Sequence, residues 1–210
     1  MAIVVVGGHS RNVGKTSVVA GLIHALADYR WTAMKITQYG HGVCSRNGRP
    51  CHCANEDHSW AISQEQDRSA KSDTSQFLAS GADKVWWVRT EQGRLAEAMP
   101  EIRRRLAAAE NVIVESNSIL EFLRPDLYLT ILDPQNADFK TSARRFLDRA
   151  DAVIWHAARG ASGAPAWSGV SLKPVRGRPR FLVEAPDYVS SEMLQFVRAR
   201  LEATPVEGQS

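Results

Sequence analysis

Apolar positions along this chain fall into two alternating patterns. Short continuous runs give way to stretches with a three-to-four-residue period, and then the runs return. Residues 2–6 are apolar throughout, as a strand buried on both faces must be. From Gly14 to about residue 29, Val18, Val19, Leu22, Ile23 and Leu26 recur with helical spacing. Further strands are predicted at 31–37, 83–88, 111–115, 127–132, 152–155 and 181–184. Helices are predicted at 72–80, entered through Asp73 and stopped by Gly81, and at 95–109, with Leu95, Met99, Ile102 and Leu106 on one face. Pro100 either kinks that helix or marks its start. Two more helices are predicted at 138–149 and at 190–201, the last capped, with Glu192 and Met193 in its first turn.

Two stretches break the pattern. Residues 38–68 are rich in Gly, Cys, His, Asn and charge, which predicts a long loop or small insertion. Residues 157–179 are Gly/Pro/Ser-rich with scattered basic residues, a surface excursion. The polar tail after Ala203 is expected to fray. Strands alternating with helices imply right-handed crossovers and a doubly wound, mainly parallel α/β sheet. The expectation is one P-loop-type domain over residues 1–210 with an insertion at 38–68. Ligands of such sheets bind at the carboxyl ends of the strands, so residues just after each strand carry the chemistry.

The first of those ends is the most informative. Gly7-Gly8-His9-Ser10-Arg11-Asn12-Val13-Gly14-Lys15-Thr16-Ser17 joins a buried strand to a helix. That is the strand, phosphate-cradling loop and helix of a P-loop, in which backbone N–H groups turn toward phosphate oxygens. Lys15 is expected to reach the β- and γ-phosphates, and the Thr16 hydroxyl to ligate Mg²⁺. Gly8, Ser10, Arg11, Asn12, Val13, Gly14 and Ser17 complete the expected cradle. One position departs from the usual spacing: the residue five before Gly14 is His9, and Gly8 lies one place early.

Composition changes this picture little. Hydrophobic residues at 44% and charged residues at 23% are ordinary for a globular chain, and a net charge of +3 is too small by itself to argue for nucleic acid, which is not expected as a partner. No apolar run approaches the ~18 residues of a membrane span. The chain opens without a basic leader and cleavage site, and its three cysteines are an odd number, so a reducing cytoplasm is expected.

On the predicted rim, Glu115 ends a strand and suits an Mg²⁺ shell or the orienting of an attacking water; the alternative is a carboxylate paired with a surface arginine. Asp73 is either the cap of the short helix, which spacing alone favours, or a second carboxylate near the metal. Lys35 is a snorkelling strand-end lysine or a further phosphate contact. Arg103, Arg104 and Arg105 follow one another around a helix and predict a solvated face. Trp86 and Trp87 must point to opposite faces of their strand, so packing is their expected use.

The P-loop, Met34-Lys-Ile-Thr37, Lys71-Ser-Asp-Thr-Ser75 with Ala79-Ser-Gly-Ala82, and Val112-Ile-Val-Glu115 together resemble the molybdopterin-guanine dinucleotide biosynthesis protein B family over residues 2–155. Lys35 and Thr37 match its Ile-Lys-His-Thr-like strand end, Asp73 and Gly81-Ala82 its Lys-Asp-Ser…Ala-Gly-Ala segment, and Glu115 its Val-Glu-Gly. The resemblance implies a doubly wound P-loop NTPase, GTP bound with Mg²⁺, a homodimer, and a cofactor-biosynthesis enzyme as partner. It also implies that Asp73 and Glu115 belong to the metal shell. The chain departs from the family at Ser116, where glycine is usual, and at Gln38-Tyr-Gly-His-Gly-Val-Cys44. No Asn-Lys-x-Asp guanine-reading motif is present, and Asn136-Ala-Asp138 is a faint echo of it, so GTP and ATP both stay open. The lysine of ParA-like loops is replaced by Ser10.

All three cysteines, Cys44, Cys51 and Cys53, cluster beside His41, His52 and His58. Cys44, Cys51, Cys53 and His41 make a candidate tetrahedral Zn²⁺ set, with His58 able to replace His41; an iron–sulfur or redox role and free thiols are the alternatives. The expected activity is slow Mg²⁺-dependent hydrolysis of GTP or ATP, with Lys15, Asp73 and Glu115 as its working groups; it is slow because the sequence identifies no arginine finger, Arg11 being one candidate. A small-molecule kinase or ATP-dependent ligase, and a metal-binding nucleotide sensor without turnover, are the rival expectations.

Overall fold

A computed structural model describes residues 1–39, 59–157 and 165–203. Eight strands, β1 (Ile3–Gly8), β2 (Trp31–Tyr39), β3 (Trp60–Gln64), β4 (Lys84–Glu91), β5 (Asn111–Glu115), β6 (Leu127–Leu132), β7 (Ala152–His156) and β8 (Arg180–Val183), form one sheet. Five α-helices accompany them: α1 (Lys15–Ala25), α2 (Asp73–Ala79), α3 (Leu95–Ala107), α4 (Thr141–Arg145) and α5 (Ser191–Glu202). The strand order is β3-β4-β2-β5-β1-β6-β7-β8, parallel except for β3. After β5 the chain crosses over β1 to β6, so β1 stands at the switch point of the sheet and its carboxyl end opens a crevice.

The continuous apolar run of β1 is explained by cover on both faces. Val4 and Val6 pack with α1, α2 and α5 through Leu22, Ile23, Phe77 and Val197. Val5 packs the other way, with α3 and the turn Ser118–Glu121, through Leu95, Ile102 and Ile119. Each such side chain removed from water contributes about 1.5–3 kcal/mol. Pro100 lies inside α3 and not at its start, where its ring replaces one helical hydrogen bond. Trp86 packs on the α3 side of the sheet beneath Arg105, 4.2 Å from guanidinium carbon to ring centre, so Arg105 is not a solvated arginine. Trp87 instead donates to Thr37 Oγ1 at 3.2 Å, under Arg89.

Four further sequence expectations change. The 38–68 stretch is not loop throughout, because Trp60–Gln64 pairs antiparallel with β4 and closes that sheet edge. Asp73 does not cap α2: Ser72 does, accepting from Ser75 N at 3.1 Å, while Ser75 Oγ accepts from Ser72 N at 2.8 Å. The 138–149 helix shrinks to α4 and a 3₁₀ turn, Leu147–Arg149. Its first residues are extended because their backbone bonds reach the P-loop instead of the next turn. Finally, Trp167 in the 157–179 excursion is buried, packed against His9, Phe139 and Trp155. The insertion's cysteines and histidines, Cys44, Cys51, Cys53, His41, His52 and His58, lie outside the described residues. None of the helices described is long and apolar enough to cross a membrane.

Candidate functional site

The loop between β1 and α1 is held open by close approaches that need glycine. A side chain at Gly7 would collide with Asn117 and Tyr128. That clearance lets Asn117 grip the loop twice: its Oδ1 accepts from Gly8 N at 3.0 Å and its Nδ2 donates to Gly8 O at 2.8 Å. Gly14 takes φ +84, a left-handed conformation, with the Tyr188 ring where a side chain would stand. Asn12, at φ 56, is the other left-handed turn of the loop.

His9 then has its own use. It is fully buried, stacked on Phe139 at 5.1 Å, and its Nδ1–H donates to Asp138 O at 2.7 Å. Ser10 Oγ donates to Asp138 Oδ2 at 2.6 Å, and Lys140 N to His9 O at 2.8 Å. Burial pushes the imidazole below its usual range, with the Asp138 hydrogen bond opposing, so His9 is a neutral peg that fastens the loop to the segment after β6.

The opposite side of the loop is built on strand register. Lys35 on β2 lies directly beside Glu115 on β5, and Glu115 beside Val6 on β1. Lys35 follows Ala33 by two residues and Glu115 follows Ile113 by two, so both emerge on the face covered by α1 and α2. Lys35 Nζ binds Glu115 Oε1 at 2.7 Å and Asp73 Oδ2, on the first residue of α2, at 2.6 Å. Thr16 Oγ1 donates to the other Glu115 oxygen at 2.9 Å. Burial pulls the Lys35 ammonium down, but the charge of Glu115 and the hydrogen bonds to Asp73 and Glu115 outweigh it, and the net shift is upward.

Lys15 stands between the two sides and donates to Ser10 O at 2.7 Å. Burial lowers its pKa to about 8; Glu115 resists, while Lys140 and Lys35 add to the fall. The first intrahelical bond of α1 is Val18 N to Gly14 O, so the N–H groups of Lys15, Thr16 and Ser17 have no partner within the helix. Unpaired N–H groups at the positive end of a helix dipole, flanked by lysines, favour a polyanion. A hydroxyl and two carboxylates beside them suit Mg²⁺, which takes one or two carboxylates and completes its shell with phosphate oxygens and water. Among the described residues there is no group of three or more His, Cys, Asp or Glu that could hold a metal ion.

Of the residues expected from sequence, Ser10, Lys15, Thr16, Lys35, Asp73 and Glu115 are brought together. Gly8 and Gly14 frame the loop, Val13 is buried, Ser17 is half-buried, and Arg11 and Asn12 are exposed at its crest. Sequence reasoning missed Asn117, Lys140, His156 and Tyr188, and read Asp138 only as a helix start and a faint echo of a guanine-reading motif, where it binds Ser10 and His9. His156 Nε2 donates to Val13 O at 2.9 Å and meets Tyr188 edge to face, so the pair supports the second half of the loop. The Gly7-Gly8 doublet was the available sign that some side chain approaches there.

No family model matches the sequence, and no curated protein matches it. Solved structures do resemble it. The hydrogenase maturation factor HypB from Archaeoglobus fulgidus superposes over 95% of this chain and 90% of its own, with a TM-score of 0.52 and 10% identity. The fold is that of the P-loop NTPases. HypB from Helicobacter pylori, solved in complex with nickel, covers 99% of this chain and 91% of its own at 13% identity and a TM-score of 0.48. MobB from Bacillus subtilis covers 97% and 100% at 12% identity and a TM-score of 0.43. At such identities the likeness is one of fold, and the last two superpose too loosely to add to it.

Proposed function

We propose that this chain binds a nucleoside triphosphate, GTP or ATP, with Mg²⁺, and hydrolyses it slowly as a triphosphate-gated accessory protein. What carries the proposal is the meeting of Thr16, Glu115, Lys35 and Asp73 beside Lys15 at the carboxyl end of β1. The N–H groups of Lys15, Thr16 and Ser17 take the phosphate chain, with Lys15 at its β- and γ-groups. Thr16, Asp73 and Glu115 hold the Mg²⁺, which when bound withdraws charge from the two terminal phosphates. Glu115, fixed by Lys35 and Thr16, also orients the attacking water. The crest of the loop, with Ser10, Arg11, Asn12 and Val13, wraps the phosphates from outside.

The motif resemblance supports a role beside a cofactor-biosynthesis enzyme, as a homodimer, in guanylylation of a molybdenum cofactor. Cys44, Cys51, Cys53 and His41 form the zinc-holding part of that proposal. Elemental analysis of purified protein checks the zinc, and a metal-free result removes it.

The deciding experiment is calorimetry with GTP and with ATP, each with Mg²⁺, on wild type and Lys15→Ala. Lys15→Ala is expected to weaken binding at least about 100-fold, because it removes a buried charge-assisted contact. Failure of the wild type to bind either nucleotide overturns the proposal. Phosphate released without an acceptor supports hydrolysis, whereas diphosphate formed only with an added acceptor supports a kinase or ligase.

A further inference from the structure

We infer that Lys140 is a phosphate-binding cation of this site, presented in cis to the terminal phosphate of the bound nucleoside triphosphate. Its role presupposes the triphosphate site proposed above. The segment that carries it is fastened to the P-loop at four points. His9 Nδ1 donates to Asp138 O at 2.7 Å, Ser10 Oγ to Asp138 Oδ2 at 2.6 Å, Lys140 N to His9 O at 2.8 Å, and the rings of Phe139 and His9 stack at 5.1 Å. The backbone of Lys140 is therefore fixed to the loop itself, and its side chain is carried wherever the loop goes.

The side chain is half-buried, and its ammonium makes no hydrogen bond or ion pair among the described residues. A partly desolvated cation without a partner is an expense that a bound anion relieves. The other lysines of the site are committed: Lys15 to Ser10 O, and Lys35 to two carboxylates. Lys140 can neutralise an incoming phosphate without breaking any contact.

Its place beside the loop says which phosphate. Burial lowers the Lys140 pKa first; Arg11 and Lys35 lower it further, while Asp138 and Glu115 raise it. Lys15 in turn feels Lys140. Lys15 Nζ donates to Ser10 O at 2.7 Å and Ser10 Oγ to Asp138 Oδ2 at 2.6 Å, so the 138–140 segment adjoins the ammonium end of Lys15, the lysine proposed to reach the β- and γ-phosphates. The terminal phosphate of a triphosphate lies beside that ammonium, so Lys140 distinguishes triphosphate from diphosphate.

The test uses the full chain and the nucleotide that the wild type binds, as triphosphate and as diphosphate, both with Mg²⁺. Lys140→Ala is expected to weaken triphosphate about ten-fold and diphosphate by less than about two-fold, with Lys140→Arg restoring most of the loss. Equal weakening of both nucleotides, or of neither, overturns the inference. Melting of the ligand-free proteins separates a structural effect: Lys140→Ala should melt no lower than wild type, and a lower Tm with loss of both nucleotides makes Lys140 a structural residue. A wild type that binds neither nucleotide removes the site itself. A wild type that binds normally, with Lys140→Ala indistinguishable from it, removes only Lys140.

Discussion

The two flanks of the P-loop are built by different means. Toward β5 and β2, the functional groups sit on adjacent parallel strands, and register alone sets Lys35 beside Glu115. Toward β6, a short extended segment carrying Asp138, Phe139 and Lys140 is tied to the loop by individual hydrogen bonds and one stacked ring. The first flank inherits the rigidity of a sheet covered on both faces. The second depends on contacts worth about 1 kcal/mol each. A metal and a water need fixed geometry, and the strand-built flank offers it. A cation that follows the loop suits the segment-built flank.

The largest expected effect breaks the first flank. Glu115→Ala leaves Lys35 largely buried, with only the half-exposed Asp73 as partner, and takes the acceptor from Thr16. Removing one member of such a pair should cost about 3 kcal/mol in urea unfolding and abolish the Mg²⁺ dependence of triphosphate binding. A loss under about 1 kcal/mol would mean that register does not make this wall rigid.

Next in size is a pH effect centred between the flanks. Lys15 has a folded pKa of about 8 against an ordinary 10.5, so between those values the unfolded chain holds a proton that the folded chain has released. Stability of the free protein should therefore rise with pH over that window, by up to about 3 kcal/mol, and the slope should vanish in Lys15→Met. Lys35 has the opposite sign: its raised pKa contributes stability fully below 10.5, and that stability is lost at higher pH, as the folded value is passed. Phosphate binding should restore the Lys15 proton. Calorimetry at pH 9 in buffers of different ionisation heat should show uptake approaching about one proton per nucleotide. Absence of uptake would place Lys15 away from the phosphates.

Asn117→Ala comes third, because it strips both Gly8 N and Gly8 O of their partners at once. A loss of about 2 kcal/mol is expected from thermal or urea unfolding, with weaker nucleotide binding as the loop loosens. The smallest effect is Asp138→Asn on the β6 flank, where Ser10 Oγ keeps a neutral acceptor in place of a charged one. About 1 kcal/mol in stability, with triphosphate affinity falling more than diphosphate affinity, would fit a clamp that positions Lys140. A larger loss than in Glu115→Ala would reverse the ranking of the flanks.

How much of this was legible follows the same division. The runs at 111–115 and 127–132 are strands with those bounds, since residues apolar on both faces can only be central. Lys15, Thr16, Lys35, Asp73 and Glu115 could be named because each belongs to a local motif at the end of a strand or the start of a helix. Spacing alone favours Asp73 as the cap of α2, but the neighbouring Ser72 caps it, and nothing local says which of two adjacent residues will do so. Trp60–Gln64 was missed because an edge strand with one partner needs no strong apolar alternation.

By itself, then, the sequence determined the alternation of strand and helix, the P-loop at residues 7–17 and a rim bearing Lys35, Asp73 and Glu115. These are properties of periodicity and short motifs, which act over a few residues. Only the tertiary structure decided that Lys35 faces Glu115 across 80 residues of chain, that Asn117 reaches Gly8 across 109, and that Asp138 receives the His9 hydrogen bond across 129. Such contacts arise from strand order and crossover, which place distant segments at one sheet end. No local pattern records which neighbours that placement will bring.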